Sequence, residues 1–382
     1  MTPRRWSLAL SACVVAAGLA ACGAPKTPVA APGPGAVAPA AEEKVLNVLN
    51  WSDYIAPDTI EKFEKETGIK VNYDVFDSNE VLETKLLTGR TGYDVVVPTD
   101  YFLERQAKQG ILLPLDKSKL PNLKNIDPAV LERLQGADPG NRFGVPYAGV
   151  VTGIGYNVAK LRKALGNVPV DSWAIVFDPR NAAKLKDCGF TMLDQEGEIF
   201  FSAKVAMGID PASERQEDLA AAEAMLLKVR PFIRYFNSSQ YIKDLANGET
   251  CAAISWSGDV LQARDRAREA GKGIELSFAV PKEGALQSFD MLAIPADASH
   301  PGNAHKFIDF LMRADIAAEF TKFRKFPSGN LAAEKLVDPE LRADPLVFPP
   351  ADVVARLKPH RAESLTYTRY ANRAWTRVRT GR

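Results

Sequence analysis

Short apolar runs alternate with helical segments between residues 45 and 109, and this order constrains the fold most. Each run has the length and composition of a buried strand, and helical spacing follows it; the runs are 45–49, 69–73 and 93–97. Gly68 is expected to end the first helical segment. A β-α-β-α-β-α order predicts a parallel sheet with helices on both of its faces.

The pattern changes near residue 145 and indicates a second lobe. An extended, Gly-rich run at 150–156 is expected to cross over, and strand-like runs at 278–281 and 291–295 are expected to return. Roughly 340 residues after the N-terminal region suit two lobes better than one core. We therefore predict an α/β fold with two lobes, each a mixed, mostly parallel sheet flanked by helices, joined by a crossover hinge. Lobe 1 is expected to comprise 44–148 and 286–338, and lobe 2 to comprise 149–285 and 339–382.

The N-terminal residues indicate export. A short basic start precedes an apolar stretch at 8–19, which is too short to span a bilayer. The sequence Leu-Ala-Ala-Cys-Gly at 19–23 predicts a lipoprotein signal peptide over 1–21, with cleavage before Cys22 and lipid on its thiol. An ordinary secretory signal with an incidental Cys22 is the alternative. Residues 22–43 are rich in Ala and Pro and are predicted to be a tether between the membrane and the folded chain.

Charge and cysteine usage exclude some partners and suggest one cross-link. The net charge of +1 offers nothing that favours nucleic acid. Of the four cysteines, Cys13 leaves with the signal peptide and Cys22 is the lipidation candidate. In an oxidising compartment the remaining Cys188 and Cys251 are expected to pair, and two buried reduced thiols are the alternative.

Aromatic and acidic residues stand together directly after apolar runs. Trp-Ser-Asp-Tyr occupies 51–54, and Trp-Ser-Gly-Asp occupies 256–259 after the run at 252–254. Thr-Asp-Tyr at 99–101 follows the third apolar run. Since ligands of such sheets bind beyond the carboxyl ends of the strands, these segments are expected to converge on one cleft. An aromatic face attracts an ammonium group and a carboxylate neutralises it, so the predicted ligand is an organic cation.

Other roles were open for these residues on local pattern alone. Trp51 and Trp256 could belong to the core, and Asp53 could cap a helix or brace Ser52. Only three histidines occur, without metal-like spacing, and no phosphate loop, nucleophile elbow or zinc motif is present. We therefore expect a binding protein without enzymatic activity, metal or cofactor.

The sequence resembles the polyamine-binding proteins of bacterial ABC importers, and among these it is most similar to the putrescine-binding branch. Two long stretches carry much of the resemblance: Asn-Trp-Ser-Asp-Tyr-Ile-Ala-Pro at 50–57 and Phe-Glu-Lys-Glu-Thr-Gly-Ile-Lys-Val at 63–71. Further matching stretches are 73–83, 115–121, 152–157, 238–242, 349–353 and 373–376. The resemblance implies a type II periplasmic binding protein that closes over a polyamine and delivers it to a membrane permease.

The resemblance also implies roles for individual residues. Asp259 with Asp290 would hold one ammonium group, and Glu198 would lie near the other amine. The same comparison implies a disulfide between Cys188 and Cys251. The complete expected ligand-binding set is Trp51, Ser52, Asp53, Tyr54, Thr99, Tyr101, Glu198, Ser238, Trp256, Asp259, Ser288, Asp290 and Phe326.

Four positions depart from the putrescine-binding pattern. Asp100 stands where small residues are usual, and Tyr101 matches the spermidine-binding branch. Ser288 replaces an aromatic residue and opens space, while Phe326 replaces a tyrosine and removes a hydroxyl. Asp100 is expected to add negative charge near the same region. These departures predict a putrescine-type site with a relaxed or shifted length preference, so that spermidine or a related polyamine is also a candidate ligand.

The expected function is that of the periplasmic, lipid-anchored binding component of a polyamine ABC importer, acting as a monomer. A polyamine sensor or chemoreceptor ligand-binding protein of the same fold is the alternative, because the sequence does not separate the two roles.

Overall fold

A computed structural model describes Glu42–Arg382. The predicted signal peptide, Cys22 and all but the last two residues of the predicted tether lie outside the described residues. The strands are β1 Val45–Trp51, β2 Lys70–Phe76, β3 Val95–Val96, β4 Gly144–Asn157, β5 Phe190–Thr191, β6 Ala252–Trp256, β7 Leu276–Ala279, β8 Ala285–Ala293 and β9 Leu357–Lys358.

Helices surround these strands along the whole described chain. The α-helices are α1 Thr59–Thr67, α2 Asn79–Thr88, α3 Asp100–Lys108, α4 Pro128–Leu134, α5 Val158–Leu165, α6 Ala174–Phe177, α7 Pro179–Leu185, α8 Glu196–Ala206, α9 Gln216–Val229, α10 Gln240–Ala246, α11 Ser257–Glu269, α12 Pro301–Leu311, α13 Ala314–Arg324, α14 Leu331–Glu334, α15 Pro339–Arg342, α16 Ala351–Val354 and α17 Leu365–Thr380. Short 3-10 helices cover Lys117–Lys119, Pro121–Asn125 and Arg230–Phe232. No helix between Glu42 and Arg382 has the length and apolar character that a membrane span requires.

The first three strands form the parallel arrangement that their order predicts. Strand β1 pairs in parallel with β2 on one side and with β3 on the other. Helix α1 ends at Gly68, whose φ of 69° is left-handed and therefore suits a residue without a side chain. The resulting order places the carboxyl ends of β1 and β3 at one edge of the sheet.

Two long strands, β4 and β8, continue the sheet into the second half of the chain. The strand order is β2-β1-β3-β8-β4-β6-β5, and β7 and β9 pair additionally with β4 and β8. Strand β4 runs antiparallel to β8 over its first part, and from Thr152 onwards it pairs antiparallel with β6. The sequence pattern showed only the latter part of β4, because nearly the whole strand is buried and carries no alternation of polar and apolar residues.

A close approach of chains explains one of the glycines of β4. A Cβ atom at Gly153 would lie 2.5 Å from the backbone oxygen of Ala279 in β7 and 2.5 Å from Cζ of Phe278. Any larger residue would push β7 away from β4, so the sequence needs glycine at this point.

The buried apolar residues form separate clusters on the two sides of the antiparallel β4–β8 pair. The largest cluster packs around β6 and helices α6 to α9, and Trp173 and Phe200 are among its fully buried members. Two other clusters pack around β1, β2 and β3, with Leu46 in one and Leu49 in the other. Cys188 and Cys251 form the expected disulfide, which ties the segment before β5 to the segment before β6.

Candidate ligand-binding cleft

A cavity of about 460 Å³ opens where β1, β3 and β6 end. Its volume lies in the range that is usual for small-molecule sites. The structure brings twelve of the thirteen expected residues to its wall: Trp51, Ser52, Asp53, Tyr54, Thr99, Glu198, Ser238, Trp256, Asp259, Ser288, Asp290 and Phe326. Residues that are up to 275 positions apart in the chain thus meet, because β8, α8 and the segment after α13 also border the cleft at which β1, β3 and β6 end.

Two tryptophans lie next to each other in the wall of this cavity. Trp51 ends β1 and Trp256 ends β6, and their ring centroids are 6.4 Å apart in an edge-to-face arrangement. The Trp51 ring also packs on Phe76, with centroids 4.5 Å apart, and its Nε1 donates to the carbonyl of Val97 at 2.9 Å. These contacts hold the Trp51 ring in place. The two rings therefore offer a preformed apolar surface for an alkyl chain or a cation.

Asp290 is a buried carboxylate that faces the cavity without a cationic partner. Its two oxygens accept hydrogen bonds from the Tyr54 hydroxyl at 2.6 Å and from the Thr99 hydroxyl at 2.9 Å. Burial raises the pKa of Asp290 to about 6, and the two hydrogen bonds oppose this rise. Within Glu42–Arg382 no Lys, Arg or His forms an ion pair with Asp290. It is therefore ready to receive a ligand cation.

Glu198 provides a second buried carboxylate from the first turn of α8. Its Oε2 accepts hydrogen bonds from Trp256 Nε1 at 2.9 Å and from the Thr152 hydroxyl at 2.5 Å. Burial raises the pKa of Glu198 to about 7. No basic side chain of the described chain pairs with it either. The bond from Trp256 links this carboxylate to the aromatic wall, so both would respond together to a bound ligand.

Asp259 differs from the expectation, because its charge is already paired inside the protein. Its Oδ1 accepts a hydrogen bond from Nη2 of Arg324 at 2.8 Å, and its Oδ2 accepts one from the Tyr241 hydroxyl at 2.6 Å. The side chains of both Asp259 and Arg324 are at most 5 % exposed. The expectation that Asp259 and Asp290 jointly hold one ligand ammonium therefore needs correction: Arg324 takes up the charge of Asp259.

Tyr101 and Asp100 are also placed differently from the expectation. Tyr101 is absent from the cavity wall, and its ring packs on His360 and Phe102, with centroids 4.5 and 5.0 Å away. Asp100 begins α3, and its carboxyl accepts hydrogen bonds from the backbone of Tyr101 at 2.8 Å and of Phe289 at 3.3 Å. Burial raises the pKa of Asp100 to about 8. It is therefore mostly protonated at neutral pH and does not add the negative charge that the sequence suggested.

The smaller polar residues of the wall have distinct settings. Ser52 donates a hydrogen bond to Asp77 at 2.8 Å, and the Ser238 hydroxyl accepts one from the backbone of Asp194 at 3.1 Å. Asp53 is exposed and has a left-handed φ of 54°, and the residue that precedes α1 is Asp58. The helix-cap role left open for Asp53 is therefore not observed. Asp is one of the few residues other than glycine that adopt this conformation readily.

Two of the sequence departures lie in the wall as buried residues. Ser288 is in β8 and is 2 % exposed, and Phe326 is 1 % exposed. The Phe326 ring lies 5.9 Å from the Tyr54 ring, centroid to centroid.

Sequence reasoning missed several wall residues. Arg324 is the most consequential, because it brings a buried positive charge to the cavity from the end of α13. Glu196 shares the first turn of α8 with Glu198, and an acid two positions away could have signalled it. Trp375 is buried, its Nε1 donates to Asp194 at 3.1 Å, and it also lines the cavity. Nothing in the local sequence around Arg324 points to Asp259.

The charge of the cavity wall is strongly negative. Its acidic residues are Asp53, Asp77, Glu80, Asp194, Glu196, Glu198, Asp259 and Asp290, whereas Arg324 and Arg379 are its basic residues. Arg379 pairs with Asp194 at 3.3 Å. The acidic wall with its aromatic rings suits an organic cation with apolar methylene groups. In the described part of the chain no three His, Cys, Asp or Glu side chains are grouped to hold a metal ion.

Comparison with known proteins identifies the family. Residues 58–349 match the model of the bacterial extracellular solute-binding proteins. The chain is 51 % identical to the putrescine-binding periplasmic protein PotF of Escherichia coli over 90 % of this chain and 93 % of that protein. It is 50 % identical to the putrescine-binding periplasmic protein SpuD of Pseudomonas aeruginosa, over 91 % and 95 %.

A solved structure shows the same fold. It is the spermidine/putrescine ABC transporter substrate-binding protein PotD of Streptococcus pneumoniae, which is 25 % identical, with a TM-score of 0.73 over 89 % of this chain and 99 % of that chain. The predicted type II periplasmic binding protein fold is thereby confirmed. The resemblance to periplasmic polyamine-binding proteins that the sequence indicated is confirmed as well, and the chain belongs to the bacterial extracellular solute-binding protein family.

Proposed function

We propose that this protein is the extracytoplasmic binding component of a polyamine ABC importer and that it binds putrescine in the cleft between β1, β3 and β6. The observation that carries the proposal is the pair of buried carboxylates without a cationic partner, Glu198 and Asp290, in one cavity whose wall also holds two tryptophans in edge-to-face contact. The relatives at 50–51 % identity, which are named as putrescine-binding proteins, support it. We also propose that the protein has no enzymatic activity.

A linear diamine matches this arrangement chemically. Each ammonium loses its hydration shell on entering the cleft, so each needs a carboxylate to offset that cost. Asp290 and Glu198 supply one carboxylate each, while the rings of Trp51 and Trp256 contact the methylene chain. A cation–π contact contributes about 0.5–2 kcal/mol, whereas removing one partner of a buried charge pair costs about 2–5 kcal/mol. The carboxylates therefore dominate the affinity.

Closure of two lobes over the ligand is the proposed mode of action. The proposed lobes are 44–148 with 286–338 and 149–285 with 339–382, and the separate apolar clusters on the two sides of the β4–β8 pair support them. Trp51 and Tyr54 belong to the first proposed lobe and Glu198 and Trp256 to the second. A ligand that contacts both groups would favour the closed form by hinge motion.

Calorimetric titration tests the ligand. The mature chain is titrated with putrescine, cadaverine, agmatine, spermidine and spermine at the same pH and ionic strength. Putrescine should release heat and saturate one site per chain, and an uncharged control such as 1,4-butanediol should give none. Absence of heat with every polyamine would rule out the proposed ligand class.

The cellular role needs a separate experiment. We propose that the protein is a periplasmic monomer, anchored to a membrane by lipid on Cys22, and that it serves a permease. Labelled putrescine uptake should fall in a deletion strain and return with the wild-type gene. Normal uptake together with a lost behavioural or transcriptional response to putrescine would instead indicate a sensor. A Cys22→Ser variant should leave the membrane fraction, and size-exclusion chromatography reports the oligomeric state.

A further inference from the structure

Arg324 lies among the very groups that the sequence assigned to a ligand cation. Its Nη2 is 2.8 Å from Asp259 Oδ1, and its Cζ lies 5.1 Å from the centroid of the Tyr54 ring and 5.5 Å from that of Phe326. A carboxylate and two aromatic faces are the environment that stabilises an organic cation. The guanidinium therefore occupies a cation subsite from within the chain.

The burial and the hydrogen bonding of Arg324 indicate that its guanidinium is part of the cavity wall and does more than stabilise the core. The residue is 4 % exposed and lines the cavity, yet its one hydrogen bond within the described chain is the bond to Asp259. Its Nε is buried without a partner. A guanidinium has five N–H donors, and a buried one is normally satisfied more fully. A purely structural arginine would be expected to use more of them.

The number of buried carboxylates in the wall then limits how many ligand ammonium groups the cleft can neutralise. Three wall carboxylates belong to residues that are at most 5 % exposed: Glu198, Asp259 and Asp290. Arg324 neutralises one of them, which leaves two that lack a cation. The other acids of the wall are exposed or half-buried and therefore remain in contact with water, and one of them, Asp194, pairs with Arg379. Since a buried ammonium needs a buried counter-charge, the cleft can neutralise two ligand amines at low cost and not three.

We propose that Arg324 is a specificity-determining residue: by occupying the Asp259 subsite with an internal guanidinium, it makes the cleft select a linear diamine over a triamine. This inference rests on the proposed polyamine function and names the ligand class within it. It also revises the role of Ser288. The space that this small residue leaves does not admit a longer polyamine by itself, because Arg324 has already used the third carboxylate.

The experiment compares spermidine and putrescine affinities by calorimetry in the wild type and in three Arg324 variants. Arg324→Met removes the charge but keeps much of the apolar length, Arg324→Lys keeps the charge, and Arg324→Gln removes the charge but can still donate to Asp259. Thermal unfolding and circular dichroism establish that each variant is folded. Arg324→Gln provides the test if Arg324→Met does not fold, because its amide still satisfies the buried carboxylate.

The expected readout is the ratio of the two dissociation constants, Kd(spermidine)/Kd(putrescine). This ratio should be well above one in the wild type and in Arg324→Lys. It should fall by about tenfold or more in Arg324→Met and Arg324→Gln, because Asp259 then becomes available to a third amine. The double variant Arg324→Met with Asp259→Asn removes both charges and should return to the wild-type ratio.

The outcomes separate the two proposals. An equal loss of affinity for both amines in Arg324→Met and Arg324→Gln, with an unchanged ratio, would show that Arg324 only supports the fold and would overturn this inference. A wild type that binds spermidine as tightly as putrescine would also overturn it. A wild type that binds no polyamine at all would instead refute the proposed function.

Discussion

Replacing the Glu198 carboxylate should change both the affinity for a diamine and its dependence on pH. Glu198 is fully buried, its Oε2 accepts two hydrogen bonds, and its pKa is raised to about 7 by burial. An ammonium beside it favours the ionised carboxylate, so ligand binding below pH 7 must first release a proton. Diamine affinity should therefore rise with pH until this group is ionised.

The size of the effect follows from the two raised pKa values. A group of pKa about 7 that must be ionised in the complex changes the affinity by about a hundredfold between pH 5 and pH 8. Asp290, with a pKa of about 6, adds about tenfold over the same interval. The wild type should thus bind putrescine about a thousandfold more tightly at pH 8 than at pH 5.

The variant Glu198→Gln should lose the larger part of this dependence. We expect its affinity for putrescine at pH 8 to fall by about thirtyfold or more, which corresponds to the lower limit for truncating one partner of a buried charge pair. Between pH 5 and pH 8 its affinity should change by only about tenfold, because Asp290 is then the one remaining carboxylate of the proposed ligand pair that titrates. Isothermal titration calorimetry in buffers of different ionisation enthalpy measures both the affinity and the number of protons released.

A matched control lies two residues away in the same helical turn. Glu196→Gln also removes one acid from the cavity wall, but Glu196 is half-buried and forms no hydrogen bond with Trp256. Burial raises the pKa of Glu196 to about 8, so this variant also removes a titrating acid of the wall. Because Glu196 is not one of the two proposed ligand carboxylates, we expect the variant to retain most of the affinity and the steep rise in affinity between pH 5 and pH 7. If Glu198→Gln kept the thousandfold dependence, or if Glu196→Gln lost it, the assignment of Glu198 as the ligand carboxylate would be wrong.

Three further predictions concern the Trp256 ring, the disulfide and the two buried carboxylates. Trp256→Ala should weaken putrescine binding by up to about thirtyfold in calorimetry, whereas Trp256→Phe keeps an aromatic face and should lose less affinity. An unchanged Kd for Trp256→Ala would show that the Trp256 ring does not contact the ligand. Replacing both Cys188 and Cys251 by Ser should lower the free energy of unfolding by about 4 kcal/mol in urea titration, since the disulfide links residues 63 positions apart; the wild type measured in reducing agent is the control. The ligand-free protein should lose stability as pH rises from about 4.5 to 7, because folded Glu198 and Asp290 hold protons that the unfolded chain releases. Each of these two carboxyl groups contributes about 3 kcal/mol to this loss in the free energy of unfolding. The difference in Tm between pH 4.5 and pH 7.5 should therefore be smaller in Glu198→Gln than in the wild type, and an equal difference in the two proteins would contradict this.

Local sequence patterns predicted most of the framework and the aromatic part of the site. Apolar runs closed by Gly68 or followed by polar residues marked strands and helices to within a few residues, because breakers and periodicity act locally. The positions of Trp51 and Trp256 in the cleft could be predicted because each directly follows an apolar run, and ligands of such sheets bind beyond the carboxyl ends of the strands. The full length of β4 could not be predicted, because a strand buried on both faces shows no alternation.

The burial and the contacts of individual side chains could not be predicted in the same way, as Asp100 and Tyr101 illustrate. Asp100 was expected to add a negative charge, yet at the start of α3 its carboxyl accepts hydrogen bonds from backbone N–H groups, and burial raises its pKa to about 8. Tyr101, adjacent in sequence to the cleft segment, packs on His360 from the far end of the chain. Burial and hydrogen-bond partners decide both roles, and neither quantity can be read from neighbouring residues.

The sequence by itself determined that this protein has an α/β framework and belongs to a family with aromatic and acidic residues at strand ends. It also led us to expect the disulfide between Cys188 and Cys251, which the structure contains. The tertiary structure alone decided which carboxylates remain for a ligand. Arg324 and Asp259 are 65 residues apart and meet only because α13 packs near the start of α11. Since the charge of a buried site depends on which groups share its low-dielectric surroundings, the net charge offered to a ligand is a property of the folded chain.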